Sequence, residues 1–138
     1  MNIEINKQVV ARFDDLVRNR DVSQLDDLCT PDMVNHALAP GRPAGLAGTR
    51  EFLTTMARTF DDDHFRESFI VAENDLVVQF GVRAGHWAGG DFLGFPAPSG
   101  DYARDVAFAY RLVDGRIAER WAIRDDLSML RQLGALPR

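Results

Sequence analysis

The feature that most constrains how this chain can fold is a change of hydrophobic period at Asp63. Before it, apolar residues recur at three- and four-residue spacing, the repeat of an amphipathic helix. After it they alternate every second residue, the repeat of a half-buried strand. Val9, Val10, Phe13, Leu16 and Val17 predict a first helix over 5–19. Val22, Leu25 and Leu28 predict a short second one over 22–29, which Pro31 stops. Met33 to Leu38 reads as a short strand and APGRPAGLAG as a loop. Phe52, Leu53, Met56 and Phe60 predict a third helix from Thr49 to Phe60, ended by the acidic run Asp61 to Asp63, which reads as a solvated loop. Downstream, strands over 65–71 and 76–87 flank a turn at Glu73–Asn74–Asp75. After the loop GGDFLGFPAPSGD, strands over 102–113 and 116–124 form a hairpin around Asp114–Gly115, a strong two-residue turn signal. The segment LSMLRQLG closes the chain as a helical turn or two. Helices followed by an antiparallel sheet define the α+β class.

The chain has 138 residues, the length of one domain spanning 1–138. A chain of this size buries roughly 70% of its unfolded surface, so a core forms without staples. The formal net charge of −5 argues against a nucleic-acid partner. No apolar run approaches the roughly 18 residues of a membrane span, and MNIEINKQVV carries no signal-peptide pattern, so no membrane is expected. Cys29 is the single cysteine; with one thiol and no leader, the expected compartment is the cytoplasm. Fifteen of the 16 basic residues are arginine. The only lysine, Lys7, falls on a solvated helix face, which removes Schiff-base and P-loop chemistry.

The hairpin register asks which polar groups point inward. For a hairpin without a bulge, Phe108 faces Trp121, Val106 faces Ile123 and Arg104 faces Asp125, all on one face with Tyr110. The opposite face carries Ala107, Ala109, Arg111, Ala118, Arg120 and Ala122. The aromatic and branched face is the expected core, with Asp125 at its end. In the strand 76–87, Val78, Phe80, Val82, Ala84 and His86 share one face, against Gln79, Arg83 and Trp87 on the other. His36 shares its face with Val34 and Leu38. One carboxylate and two histidines thus fall on apolar faces, where covering helices could enclose them in one pocket. Each also has a plain structural reading. Asp125 and Asp126 precede a helix, where aspartate is a preferred N-cap; either histidine can be a hydrogen-bonded core residue, and Arg104 the ion-pair partner of Asp125.

Absent motifs narrow the chemistry. The three histidines have no metal-ligand spacing, no glycine fingerprint opens a helix, and no nucleophile elbow is present. Cys29 sits in an apolar helical pattern, where burial is the expected role. What survives is acid–base chemistry on a small organic molecule, without metal or cofactor. A carboxylate among Phe108, Trp121 and Ile123 loses hydration and gains basicity, while an arginine partner opposes that shift.

Three segments carry a family resemblance. DGRIAERWAIRDDLSMLRQLG resembles the ending of SnoaL-like polyketide cyclases, through Asp114–Gly115–Arg116–Ile117, Trp121, Asp125 and Gln132–Leu133–Gly134. PDMVNHALAPGRPAGLAGTREF and GHWAGGDFLGFPAPSG resemble two upstream segments, and the likeness runs from about residue 7 to residue 136. Trp87 and Ala97–Pro98–Ser99–Gly100 depart from the family pattern. The resemblance implies a cone-shaped α+β barrel of the nuclear-transport-factor-2-like type. Its curved mixed sheet and amino-terminal helices would enclose an apolar pocket. It implies intramolecular aldol ring closure of a small hydrophobic ketone or β-keto ester, with Asp125 as acid–base residue and His36 and His86 in support. Phe108, Trp121, Ile123, Tyr110, Arg104 and Phe80 are the expected substrate contacts, and a sheet-to-sheet homodimer is the implied assembly. Two other classes remain open: epoxide-hydrolase- or dehydratase-like chemistry on the same scaffold, and a non-catalytic binding module.

Overall fold

A computed structural model describes residues 2–137. Helix α1 spans Ile3–Asn19, opened by the Asn2 side chain, which accepts from the Ile5 amide, and closed by Arg20 in the left-handed conformation. Its inner stripe, Val9, Val10, Phe13 and Leu16, is buried as the spacing predicts. The second helical segment divides into a 3-10 turn, Val22–Gln24, and a single turn α2, Leu25–Leu28, because Cys29 already belongs to strand β1, Cys29–Asn35. Helix α3, Gly45–Thr59, starts four residues before the expected Thr49, inside the segment read as loop.

Strand β2, Phe60–Glu73, absorbs the acidic run expected to be a solvated loop. The reason is Asp63, whose side chain is 7% exposed and pairs with Arg83 of strand β3, Leu76–Trp87. Strands β4, Gly90–Phe92, and β5, Phe95–Ala97, make a small hairpin within the expected glycine-rich loop. Strands β6, Gly100–Val113, and β7, Arg116–Arg124, follow, and helix α4, Asp126–Gln132, ends the order.

The main sheet has the order β1-β7-β6-β3-β2, antiparallel except for β1 against β7. Strand β2 bends by shifting register twice against β3. Gly81 lets it close in: a Cβ there would collide with the Arg66 carbonyl oxygen. The curved sheet wraps one side of a core formed by α1, α2 and α3. Phe13 and Tyr110 meet edge to face at 5.9 Å at its centre. A second cluster, Phe60, Trp87, Tyr102, Met129 and Leu133, joins α4 to the far end of the sheet.

The turn forms at Asp114–Gly115 as expected, both with positive φ. The register beyond it differs. Leu112 pairs with Ile117 but Arg111 pairs with Glu119, so Ala118 is one extra residue in β7. Phe108 therefore faces Ala122, not Trp121, and Val106 faces Arg124, not Ile123. One inserted residue reverses every side chain beyond it. Arg120, Ala122 and Arg124 turn inward, while Trp121, Ile123 and Asp125 turn out. Ile123 is 77% exposed.

Candidate active site

The concave face of the sheet, with α1 and α3 across from it, bounds a cavity of about 460 Å³. Apolar walls come from Phe13, Phe52, Met56, Phe60, Trp87 and Phe108. Its polar lining includes Asp14 from α1, Arg83, Arg104, Tyr110, Arg120 and Arg124 from three adjacent strands, and Asp126 at the start of α4; Arg42, paired with Glu51, and the exposed Asp91 add to it. The strand residues reach one space because β-strand side chains repeat every second position, and the Ala118 bulge brings Arg120 and Arg124 into phase with Arg83 and Arg104.

Of the four arginines that the strands contribute, two are matched by carboxylates. Arg83 pairs with Asp63, which also accepts from the Tyr102 hydroxyl at 2.5 Å. Arg104 pairs with Asp126. Arg120 instead donates from Nε to the Tyr110 hydroxyl at 3.4 Å and stacks its guanidinium 4.9 Å from the Phe108 ring centre. Arg124 lies 5.8 Å from the Phe52 ring centre and 5.9 Å from that of Phe108.

Asp14 is the carboxyl group with the most altered acidity. Its Oδ2 accepts from Gln79 Nε2 at 2.7 Å, and the same amide nitrogen reaches Glu67 Oε1 at 3.1 Å. Burial pushes the Asp14 carboxyl from 3.8 up to about 6. The Gln79 bond, Arg83 and Arg120 restrain that rise, and Glu67 adds to it. Burial also raises the Cys29 thiol to about 11, which keeps it protonated, in keeping with a structural role.

Of the residues singled out from sequence, the cavity brings together Phe108, Tyr110 and Arg104. It does not bring in Asp125, His36 or His86. Asp125 is exposed and caps α4, its Oδ1 accepting from the Ser128 amide at 3.1 Å. His36 stands on the convex face, stacked on Trp121 at 5.1 Å and bonded to Glu119 at 2.6 Å. His86 pairs with Asp101, also outside. Phe80 stacks on Phe69 at 5.3 Å, and Ile123 faces solvent. For Phe80 and His86 the alternation is right but the sense is inverted, since β3 turns its polar set, Gln79 and Arg83, inward. Asp14, Arg83, Arg120, Arg124 and Asp126 were missed as site residues. The signal for Asp14 was available: it follows Phe13 on a helix whose neighbours at Val10 and Val17 line the apolar stripe.

An aromatic-walled cavity between a curved sheet and amino-terminal helices, with an acidic residue and arginines converging on it, belongs to an α+β cone fold. The family model of SnoaL-like polyketide cyclases matches residues 7–133, and the chain belongs to that family. Among solved structures, TsrD from Streptomyces laurentii is 26% identical, with TM-score 0.86 and 99% of both chains covered. IdmH from Streptomyces antibioticus, a proposed polyketide cyclase, is 29% identical with TM-score 0.79, covering 94% of this chain and 98% of its own. A SnoaL-like polyketide cyclase from Agrobacterium tumefaciens shares the fold at 18% identity and TM-score 0.81, covering 97% of this chain and all of its own. No curated protein sequence matches the chain significantly. Among the described residues no helix is long and apolar enough to cross a membrane.

Proposed function

We propose that the protein is an acid–base enzyme that closes a ring in a small hydrophobic ketone or β-keto ester by an intramolecular aldol step, with Asp14 as the base. The observation that carries this reading is a carboxyl group buried against an apolar cavity and poised near pH 6. A base titrating there is largely ionised at neutral pH yet basic enough to remove a proton from a carbon beside a carbonyl. The C–H electron pair becomes the enolate, whose oxygen lies in the field of Arg120. The enolate carbon bonds to a second carbonyl of the same molecule, and the resulting alkoxide takes the proton back from Asp14. Each proton removed is returned, so this sequence requires no cofactor.

Solvent-deuterium exchange, read by NMR on a panel of β-keto esters and polycyclic ketones, tests it. Wild type should incorporate deuterium beside the carbonyl, and Asp14→Asn should lose about 10²–10⁴-fold in rate. Asp125→Asn, altering only a cap, should exchange as wild type does. Equal rates in Asp14→Asn and wild type would remove Asp14 from the mechanism.

The Arg104–Asp126 pair in the cavity wall favours a second reading, in which Asp126 orients a water for hydration or epoxide opening. Labelled solvent oxygen appearing in the product would select it; ring closure incorporates none. We also propose a homodimer joined through the convex face of the sheet, where the apolar residues that turned outward are gathered.

A further inference from the structure

Two of the charged groups around the cavity have no carboxylate partner of their own. Five guanidinium groups line it, those of Arg42, Arg83, Arg104, Arg120 and Arg124. Asp63 answers Arg83 and Asp126 answers Arg104. Glu51 answers Arg42 in the same way. The groups without a carboxylate partner are Arg120 and Arg124. Arg120 is 6% exposed, and the one hydrogen bond of its side chain among the described residues is from Nε to Tyr110. The Arg124 side chain forms neither a hydrogen bond nor an ion pair among the described residues; its guanidinium rests against Phe52 and Phe108. Burying an unanswered charge is costly, and the cost is recovered when a ligand supplies the counter-charge. The Arg124 guanidinium is in fact held well below its ordinary acidity range, at about 9, first by burial and then by the neighbouring Arg120 and Arg104.

We propose that the natural substrate is an organic monoanion whose carboxylate binds Arg124, with the apolar body of the molecule along Phe52 and Phe108. Arginine suits this role because its planar fork matches the two oxygens of a carboxylate. One guanidinium resting on the Phe52 and Phe108 rings fits a single carboxylate. The same positions separate the two arginines by task. Arg120 packs against Phe13, the neighbour of Asp14 on α1, whereas Arg124 packs against Phe52 on α3. Arg120 therefore serves the developing enolate near Asp14, and Arg124 holds a permanent negative group at the other end of the substrate. The assignment rests on the acid–base reading for this division of labour, while anion binding itself requires no chemistry to occur.

The test is calorimetric titration with matched pairs of probes: benzoate, 2-naphthoate and anthracene-2-carboxylate, each against its neutral carboxamide. Wild type should bind at least one carboxylate about tenfold more tightly than its amide. Arg124→Met should lose that preference while keeping the amide affinity, and removal of an unanswered buried charge should leave the variant folded. Arg124→Gln, read the same way, guards against a packing defect. Equal affinity for acid and amide in wild type, a preference that survives in both variants, or no carboxylate binding at millimolar concentration would each overturn the assignment. Asp14→Asn separates the two readings. If it retains the carboxylate preference and loses deuterium exchange, both stand. A carboxylate preference alongside undiminished exchange in Asp14→Asn would remove the acid–base reading and leave this one.

Discussion

Asp14 illustrates how one residue couples stability to activity. Its carboxyl is raised from 3.8 to about 6, so between those values the folded protein keeps a proton that the unfolded chain has released. Stability must then fall as pH rises through that window, and the loss, complete above about pH 6, is on the order of 3 kcal/mol. The groups facing the carboxyl are Gln79, Glu67, Arg83 and Arg120. Asp14→Asn keeps an oxygen for the Gln79 amide to donate to but cannot ionise. The variant should therefore melt at a higher temperature than wild type at pH 8 and at the same temperature at pH 4. Scanning calorimetry across that range checks it, and parallel melting curves for the two proteins would contradict the raised acidity value. A residue whose removal both stabilises the fold and abolishes exchange is retained for its chemistry.

At the scale of elements, the strands themselves were legible and their faces only in part. Leu76–Trp87 and Arg116–Arg124 were readable to the residue, because period-two alternation and the Asp114–Gly115 turn are local signals. The pairing beyond the turn depended on Ala118, which nothing local distinguishes from an ordinary strand alanine. That single residue moved Asp125 from the expected site to a helix cap and brought Arg120 and Arg124 into it. The inverted sense of β3 has a different cause. Reading apolar as inward assumes a packed interior, whereas here the concave side holds a cavity that Arg83 lines and whose Asp14 accepts from Gln79. Asp63 was misread as solvated because its partners, Arg83 and Tyr102, are distant in sequence. Curvature makes the cavity possible, and it rests on close approach at Gly81, where an added Cβ would meet the Arg66 carbonyl oxygen and lie 2.8 Å from Phe65 Cε1. Gly81→Ala should destabilise the protein by about 2 kcal/mol, by the ordinary cost of overpacking. Urea denaturation measures it, and an unchanged midpoint would mean that β2 can move away without loss.

For the whole molecule, the inward turn of the polar set leaves its apolar counterpart outside. Phe69 and Val71 on β2, Val34 on β1 and Ile123 on β7 are 53%, 54%, 48% and 77% exposed. Phe80, Ala107 and Ala109 lie between them on the same convex face, half-buried, with small side chains along β6 that allow close approach. Charged groups border this area: Arg111 bridges Asp75 and Glu119, and Glu119 holds His36 against Trp121. An apolar centre with a charged rim is the composition of a protein interface, and monomers rarely leave a continuous apolar patch beyond a few hundred Å² uncovered. The face expected opposite the core is thus corrected in detail, since Arg120 and Ala122 lie on the concave side, while Ala107, Ala109 and Ala118 remain outside the core. A twofold pair places the same patch against itself, so a charge at its edge is met by its own copy and repelled. Ile123→Asp should convert a dimer to a monomer at micromolar concentration, as read by sedimentation velocity, and a monomeric wild type would refute the assembly. Because Arg124, Phe52 and Phe108 all belong to the concave side, away from this patch, the monomeric variant should keep its carboxylate preference. Any loss of binding on dissociation would mean that the partner holds the curvature of the sheet in place.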